Sequence, residues 1–247
     1  MTQILYQPQL EGQLKSFRLS GMAKTIATRM KQAESGNLSY AEFLGLLLED
    51  EVNTRADNKR QRMFKSAKLP FEKGLEDFDF TFQPSINKRE IIELSSCQFL
   101  TEKKNVLFIG QTGTGKTHLS IAIALSALGQ GKTVLFTTVW DMINKLQQSR
   151  ADLSYHKRIQ MYLKPDLLIL DELGYRSMAE KTVEDFYEII AGRYEKGSLI
   201  LTTNRELEEW HKVFIDKTLT SAIVDRLLHH SRVIEIKGES YRFQHRD

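Results

Sequence analysis

Gly110-Gln111-Thr112-Gly113-Thr114-Gly115-Lys116-Thr117 follows the pattern G-x-x-x-x-G-K-[ST]. Before it stands Asn105-Val106-Leu107-Phe108-Ile109, a short apolar run of the kind that forms a buried parallel strand. After it, His118 to Leu128 reads as a helix with Leu119, Ala122, Ile123 and Ala127 on one side, and Gly129-Gln130-Gly131 stops it. Strand, glycine loop and helix in that order turn the pattern into a nucleoside triphosphate site. Glycines let backbone N–H groups close around phosphates, and the helix N-terminus adds its partial positive charge. Residues 110–118, His118 included, are the expected nucleotide-binding set. Lys116 is expected on the β- and γ-phosphates, and the Thr117 hydroxyl on Mg²⁺.

Working outward, the rest of the C-terminal part alternates apolar strands with helices, the pattern of a parallel sheet covered on both faces. Strands are expected at 105–110, 133–138, 166–171, 198–203 and 233–236, with a helix over Ser85 to Leu100 leading into the first. Residues 1 to about 70 contain no strand-like run. Leu10, Leu14 and Phe17, then Met22, Ile26 and Met30, recur at helical spacing on either side of Ser20-Gly21. Gly36-Asn37 marks a turn, and Ser39-Tyr40-Ala41-Glu42 is a capping box for a third helix that Pro70 ends. The expected division is therefore a helical domain at 1–70 and an α/β domain at 71–247. Residues 71–84 form an aromatic connector (Phe71, Phe78, Phe80, Phe82) whose rings pack on the second domain.

Composition sets the outer bounds. The chain has 247 residues, 41% hydrophobic, enough for one α/β domain and a smaller element. No run approaches the ~18 apolar residues of a membrane span, and Met1 to Pro8 lacks the layout of a signal peptide. Cys97 is the single cysteine, so a reducing compartment, the cytoplasm, is the expected location. The six histidines show no zinc spacing, and His229-His230 reads as surface or interface. At a net charge of +3, affinity for nucleic acid must come from local patches.

Asp171-Glu172 follows Leu167-Leu168-Ile169-Leu170, so the acids emerge at the carboxyl end of a buried strand, where ligands bind in open α/β sheets. Asp171 suits the Mg²⁺ held by Thr117, and Glu172 then faces the γ-phosphate and polarises the attacking water. The plain alternative is an acid pair facing solvent. Asn204, at the end of Leu199-Ile200-Leu201-Thr202-Thr203, is placed to orient that water, although Asn-Arg after a strand is also ordinary turn chemistry. Arg226 lies in an amphipathic helix over 219–228, just before the last strand. It either partners a nearby acid such as Asp225 or reaches a neighbouring subunit's nucleotide as an arginine finger.

These blocks, in this order, resemble the IstB family, helper ATPases encoded beside the transposase of certain bacterial insertion sequences and relatives of the DnaC helicase loaders. The likeness is carried by Gly110–Thr117, Leu170-Asp171-Glu172-Leu173-Gly174-Tyr175, Leu201-Thr202-Thr203-Asn204, Asp225-Arg226-Leu227-Leu228-His229-His230 and Gly238-Glu239-Ser240-Tyr241-Arg242. It implies an AAA+ core with sheet order 5-1-4-3-2, Asn204 as sensor 1, Arg226 as the finger acting in trans, and ATP as the nucleotide. It further implies ATP-dependent self-assembly on duplex DNA and recruitment of the cognate transposase. No separate lid domain with its own sensor arginine follows residue 236, and Arg205 is the substitute considered for it.

Arg55, Lys59, Arg60, Arg62, Lys65 and Lys68 make the clearest basic stretch, against Asp57 alone, and fit a sequence-independent phosphate contact. Cations near a helix C-terminus are also common without a ligand. Four functions remain in view: a DNA-assembled, ATP-hydrolysing transposition helper; a DnaC-like loader of a replicative helicase on single-stranded DNA; a small-molecule kinase, disfavoured by Glu172; and a non-hydrolysing ATP-binding module, disfavoured by the intact Lys116, Thr117, Asp171 and Glu172.

Overall fold

The computed structural model describes residues 3–244; Met1, Thr2 and residues 245–247, the outer limits of the two expected domains, lie outside it. The chain divides between Arg62 and Met63 into two compact units. The first holds α1 (Gln3–Ser16), α2 (Ser20–Gly36) and most of α3 (Tyr40–Ala67). Its small core joins Met22, Ile26 and Leu47 to Leu10, Leu14, Met30 and Phe43; of the helically spaced residues read from the sequence, Phe17 instead stays exposed just past the end of α1. The capping box forms as read: Glu42 Oε2 accepts from the Ser39 N–H at 2.8 Å, and Ser39 Oγ accepts from the Glu42 N–H at 3.3 Å. A second cap comes from far along the chain. Buried Glu51 accepts from the N–H groups of Gly21 and Met22 at the start of α2, where a carboxylate also complements the helix dipole. α3 stops at Ala67 because Lys68 turns left-handed at φ 56° ahead of Pro70.

The second unit begins within α3, whose Met63, Phe64 and Ala67 pack into its core. The single helix expected over Ser85–Leu100 is two, α4 (Lys88–Ser95) and α5 (Gln98–Thr101). Asn87 starts the first by accepting from the Arg89 N–H, and Cys97 breaks the run by adopting φ 61°. There follow β1 (Asn105–Gly110), α6 (Lys116–Gly129), β2 (Val134–Thr138), α7 (Val139–Ala151), α8 (Tyr155–Leu163) and β3 (Leu167–Leu173). The chain continues through α9 (Glu180–Arg193), β4 (Ser198–Thr203), α10 (Trp210–Val213), α11 (Lys217–His229), β5 (Ser231–Ile236) and α12 (Tyr241–Gln244).

The five strands pair in parallel in the order β2-β3-β4-β1-β5, which read from the other edge is 5-1-4-3-2. Alternate residues feed two cores. Leu107, Leu168, Leu170, Leu199 and Leu201 face α7, α9 and α11, while Val106, Phe108, Leu167, Ile169 and Ile200 face α6 and α4. Each such side chain, fully buried, contributes about 1.5–3 kcal/mol, and this anchors the strand ends from which the site is built. Below the sheet, Arg193 is 1% exposed and donates to the carbonyls of Tyr162, Leu163, Pro165, Asp166 and Ser198. Burial pushes its guanidinium down to about 10. It ties the starts of β3 and β4 together at the ends of the strands opposite the acids.

Candidate nucleotide-binding site

The glycine loop runs from the end of β1 into α6, which starts at Lys116, two residues earlier than its apolar periodicity suggests. Its N-cap is Gly115, at φ 97°, which has no side chain to offer the first-turn N–H groups. Those donors are left for an anion. Gly113 and Gly115 are needed for space as well as for their left-handed backbone. A Cβ on Gly113 would collide with Ser240 Oγ, and one on Gly115 would lie 2.5 Å from the Phe78 ring. Thr114 Oγ1 closes the loop by donating to the Gln111 carbonyl at 2.8 Å.

Around the loop lies a cleft of about 420 Å³. Thr112 to His118 form its floor; Glu172, Thr202, Thr203 and Asn204 form one wall; Phe71, Phe78, Phe82, Tyr241 and Arg242 form the other. The expected aromatic connector thus packs against the α/β unit, and His118 sits in it edge-on to Phe71 and Phe78 with Nε2 2.9 Å from the Gly74 carbonyl. Lys116 Nζ donates to the carbonyls of Gly110 and Gln111, each at 2.7 Å. Burial pushes its ammonium down to about 8, Arg242 adds to this, and Asp171 and Glu172 oppose it.

The acid pair is built by an irregular strand. Leu170 pairs with Leu201, but the next pairing is Leu173 with Thr203, so β3 carries one residue more than β4 over that step. The extra residue makes a bulge. Glu172 takes φ 65° within it and is exposed to the cleft, while Asp171 is only 4% exposed. Thr202 locks the arrangement: its Oγ1 accepts from the Glu172 N–H at 3.0 Å and donates to Asp171 Oδ1. Thr117 Oγ1 lies 3.0 Å from both Asp171 oxygens. Burial holds the Asp171 carboxyl above the usual carboxylate range, against the bonds from Thr202 and Thr117 and the charge of Lys116. Burial raises Glu172 too, with the Asp171 charge adding to it. A hydroxyl and a carboxylate converging in this way are hard oxygen donors, and the set fits Mg²⁺.

Asn204 stands one residue past β4, exposed and on the cleft wall. Arg226 is not part of that wall. It is half-buried on α11, donates to the Ala222 carbonyl at 3.0 Å and stacks over Tyr187, 5.2 Å from the ring centroid. Arg205, too, is outside the cleft, 3.9 Å from Glu209. The arginine that does reach it is Arg242. The Tyr241 N–H bonds the Gly113 carbonyl at 3.0 Å and Tyr241 stacks edge-on with Phe82, so this segment closes over the loop. The sequence offered one signal for Arg242, its place in the Gly238–Arg242 block, but none for its position. Thr202 went unassigned; its signal is a polar pair, Thr202-Thr203, ending a strand that is otherwise apolar.

In the first unit, Arg55, Lys59 and Arg62 share a face of α3 at i, i+4 and i+7, with Arg60 round the helix from them; all four are exposed. Arg55 also pairs with Glu51 at 2.6 Å and donates to the Arg18 carbonyl. Lys65 and Lys68, in the second unit, are exposed as well.

The parallel order 5-1-4-3-2, the glycine loop after β1 and the acid pair on β3, two strands away, define a P-loop fold of the AAA+ class. Within it the chain belongs to the family of IstB-like ATP binding proteins, which matches residues 12–247. It is 39% identical over 223 residues to the insertion sequence IS5376 putative ATP-binding protein of Geobacillus stearothermophilus, covering 90% of this chain and 89% of that one. It is 38% identical over 236 residues to the IS21 putative ATP-binding protein of Pseudomonas aeruginosa, covering 96% and 89%. Among solved structures, the DnaC helicase loader shares the fold with a TM-score of 0.52 at 22% identity, over 71% of this chain and 99% of the other. Among the described residues no helix is long and apolar enough to cross a membrane.

Proposed function

We propose that this chain hydrolyses ATP to ADP and phosphate, and that the ATP-bound form assembles with copies of itself on duplex DNA, engages the cognate transposase and is released by hydrolysis. The observation that carries the reading is the bulged acid pair. Asp171 is bonded to Thr117 of the phosphate loop, and Glu172 is turned alone into the cleft. Lys116 is the cation for the β- and γ-phosphates, and the cluster of negative oxygen there favours its charged form over the free amine. Thr117 and Asp171 are the residues to hold Mg²⁺, which supplies charge neutralisation at the phosphates. Glu172 takes a proton from the attacking water as the water's oxygen bonds to Pγ and the bond from Pγ to the bridging oxygen breaks, that oxygen leaving with the electron pair as ADP. A carboxyl with a raised pKa is a better base for that step. Asn204 orients the same water, and Arg242, across the cleft, faces the terminal phosphate from the same subunit. Arg226, outside its own cleft, fits a finger reaching a neighbour's nucleotide. The helical unit, with its basic face on α3, is the proposed DNA and partner contact.

Insertion-sequence relatives at 38–39% identity favour the transposition reading; the helicase-loader reading has a shared fold behind it and no more. The test is Glu172→Gln. That variant is expected to bind ATP normally, to lose turnover by about 10²–10⁴, and to accumulate as large particles with ATP and duplex DNA but not with ADP. Normal turnover would remove Glu172 from its role, and assembly on single strands alone would transfer the protein to the loader class.

A further inference from the structure

Away from the nucleotide cleft, at the amino-terminal ends of the strands, the ends of α9 and α11 bring together Glu195, His229 and His230. One ligand atom from each lies within 4.8 Å of the other two. His230 Nε2 is 3.5 Å from Glu195 Oε1, and the two imidazole rings are 4.0 Å apart between centroids. In a tetrahedral site with bonds of about 2.0–2.1 Å, neighbouring donor atoms are about 3.4 Å apart. The His230–Glu195 pair already has that spacing. The third donor reaches it by a small adjustment of the Glu195 and His229 side chains, both of which are exposed.

Two features go beyond proximity. Glu195 follows the end of α9 at φ 58°, a conformation uncommon for a residue with a Cβ, and the turn it makes brings its carboxylate to His230. The Tyr194 hydroxyl is 2.6 Å from His229 Nδ1, which fixes that ring and leaves Nε2 as its free nitrogen. Metal-bound imidazoles are oriented in this way, by a hydrogen bond on the nitrogen that does not ligate. His230 is held from behind through its carbonyl, which accepts from the Asn105 N–H at 2.8 Å where β1 begins.

We infer that Glu195, His229 and His230 form a binding site for a borderline divalent transition metal of the Zn²⁺ type, three protein ligands leaving a fourth position open. Two imidazoles and one carboxylate suit Zn²⁺, Ni²⁺ or Cu²⁺ and disfavour Mg²⁺, which selects oxygen donors. The site is thus chemically distinct from Thr117 and Asp171. The bound ion joins the ends of α9 and α11 one helical turn from Arg226, whose guanidinium rests on Tyr187 of the same two helices. Occupancy therefore stiffens the pair that presents that arginine.

The test uses the full chain without an affinity tag, stripped with a chelator. Titration with ZnCl₂ by calorimetry is expected to give one ion per chain, and CoCl₂ to give the visible absorption of a tetrahedral Co²⁺ centre. Both signals should weaken by about 10–100-fold in Tyr194→Phe, whose ligands are intact. Both should be lost in the double variant His229→Ala/His230→Ala, with circular dichroism unchanged because these side chains are on the surface. Absence of binding, or binding that survives removal of both histidines, overturns the inference. In the second case the ion sits elsewhere, for example on Asp171.

Discussion

Replacing Thr202 by valine tests whether the acid pair is held as described. The exchange keeps the branched shape inside a strand where Thr202 is 1% exposed, and removes two hydrogen bonds, one given to Asp171 and one taken from the Glu172 N–H. A hydrogen bond to a charged group contributes about 1.5–3 kcal/mol. The Glu172 N–H, beside an exposed residue, regains water and adds little. A loss of about 1.5–3 kcal/mol lowers the melting temperature of a domain this size by about 3–12 °C. The same loss falls on the ionised form of Asp171, so its protonation moves to higher pH. The sign follows from its role: turnover requires the carboxylate, and is lost as pH falls through the Asp171 pKa. Burial already holds that pKa high, and the variant raises it further, so activity disappears earlier on acidification. The assay is ATP turnover against pH at saturating Mg²⁺, beside a thermal melt. Thr202→Ser keeps the hydroxyl and should restore the acid limb. An acid limb unmoved in valine, or equally displaced in serine, refutes the reasoning.

Three further outcomes follow from the geometry. Arg226→Ala should cut turnover of the assembled protein by about 10³–10⁵ while a single subunit binds ATP as before; a wild-type monomer that hydrolyses as fast as the assembly would end the finger assignment. Neutralising Lys59, Arg60 and Arg62 together should flatten the slope of log affinity for duplex DNA against log salt by about 3, since each phosphate that a cation neutralises accounts for about 0.9. An unchanged slope would move the DNA interface off α3. Arg242→Ala should weaken ATP about tenfold and ADP much less, as read by fluorescent-nucleotide competition; equal losses would mean that Arg242 does not face the terminal phosphate.

What was legible in the sequence follows from the range over which each signal acts. Four apolar runs report burial on both faces, and a fifth at the sheet edge buries only Ile234 and Ile236 beside exposed Val233 and Glu235; together they mark the sheet and, with the family resemblance, its order. The loop at 110–117 and the acids at 171–172 are short contiguous motifs whose flanks identify them. Two features escaped because they depend on contacts remote in sequence. Tyr241 meets Gly113 across more than a hundred residues, so Arg242 enters the cleft with no local pattern to announce it. Arg193 looks like any helix-end cation until it is found donating to five carbonyls. The break at Cys97 escaped for a local reason, since a left-handed residue without a glycine leaves the helical periodicity of Ser85–Leu100 almost undisturbed.

The bulge at Glu172 shows best why a strand-end motif must be read against its core. Leu168 and Leu170 point into the face covered by α7 and α9. Regular alternation would send residue 172 to that same buried face, and an unpaired carboxylate there costs several kcal/mol. One inserted residue gives that place to Leu173, which is fully buried in the same core, and turns Glu172 out to the cleft. The left-handed backbone this requires costs about 1–3 kcal/mol, less than the burial it avoids. Thr202 offsets part of that cost by accepting the Glu172 N–H. The adjacent acids thereby acquire different environments: Asp171 stays on the opposite face, buried and bonded to Thr117, and Glu172 alone faces the cleft. A pair that alternated regularly would have one acid beside the phosphate loop and the other lost in the core.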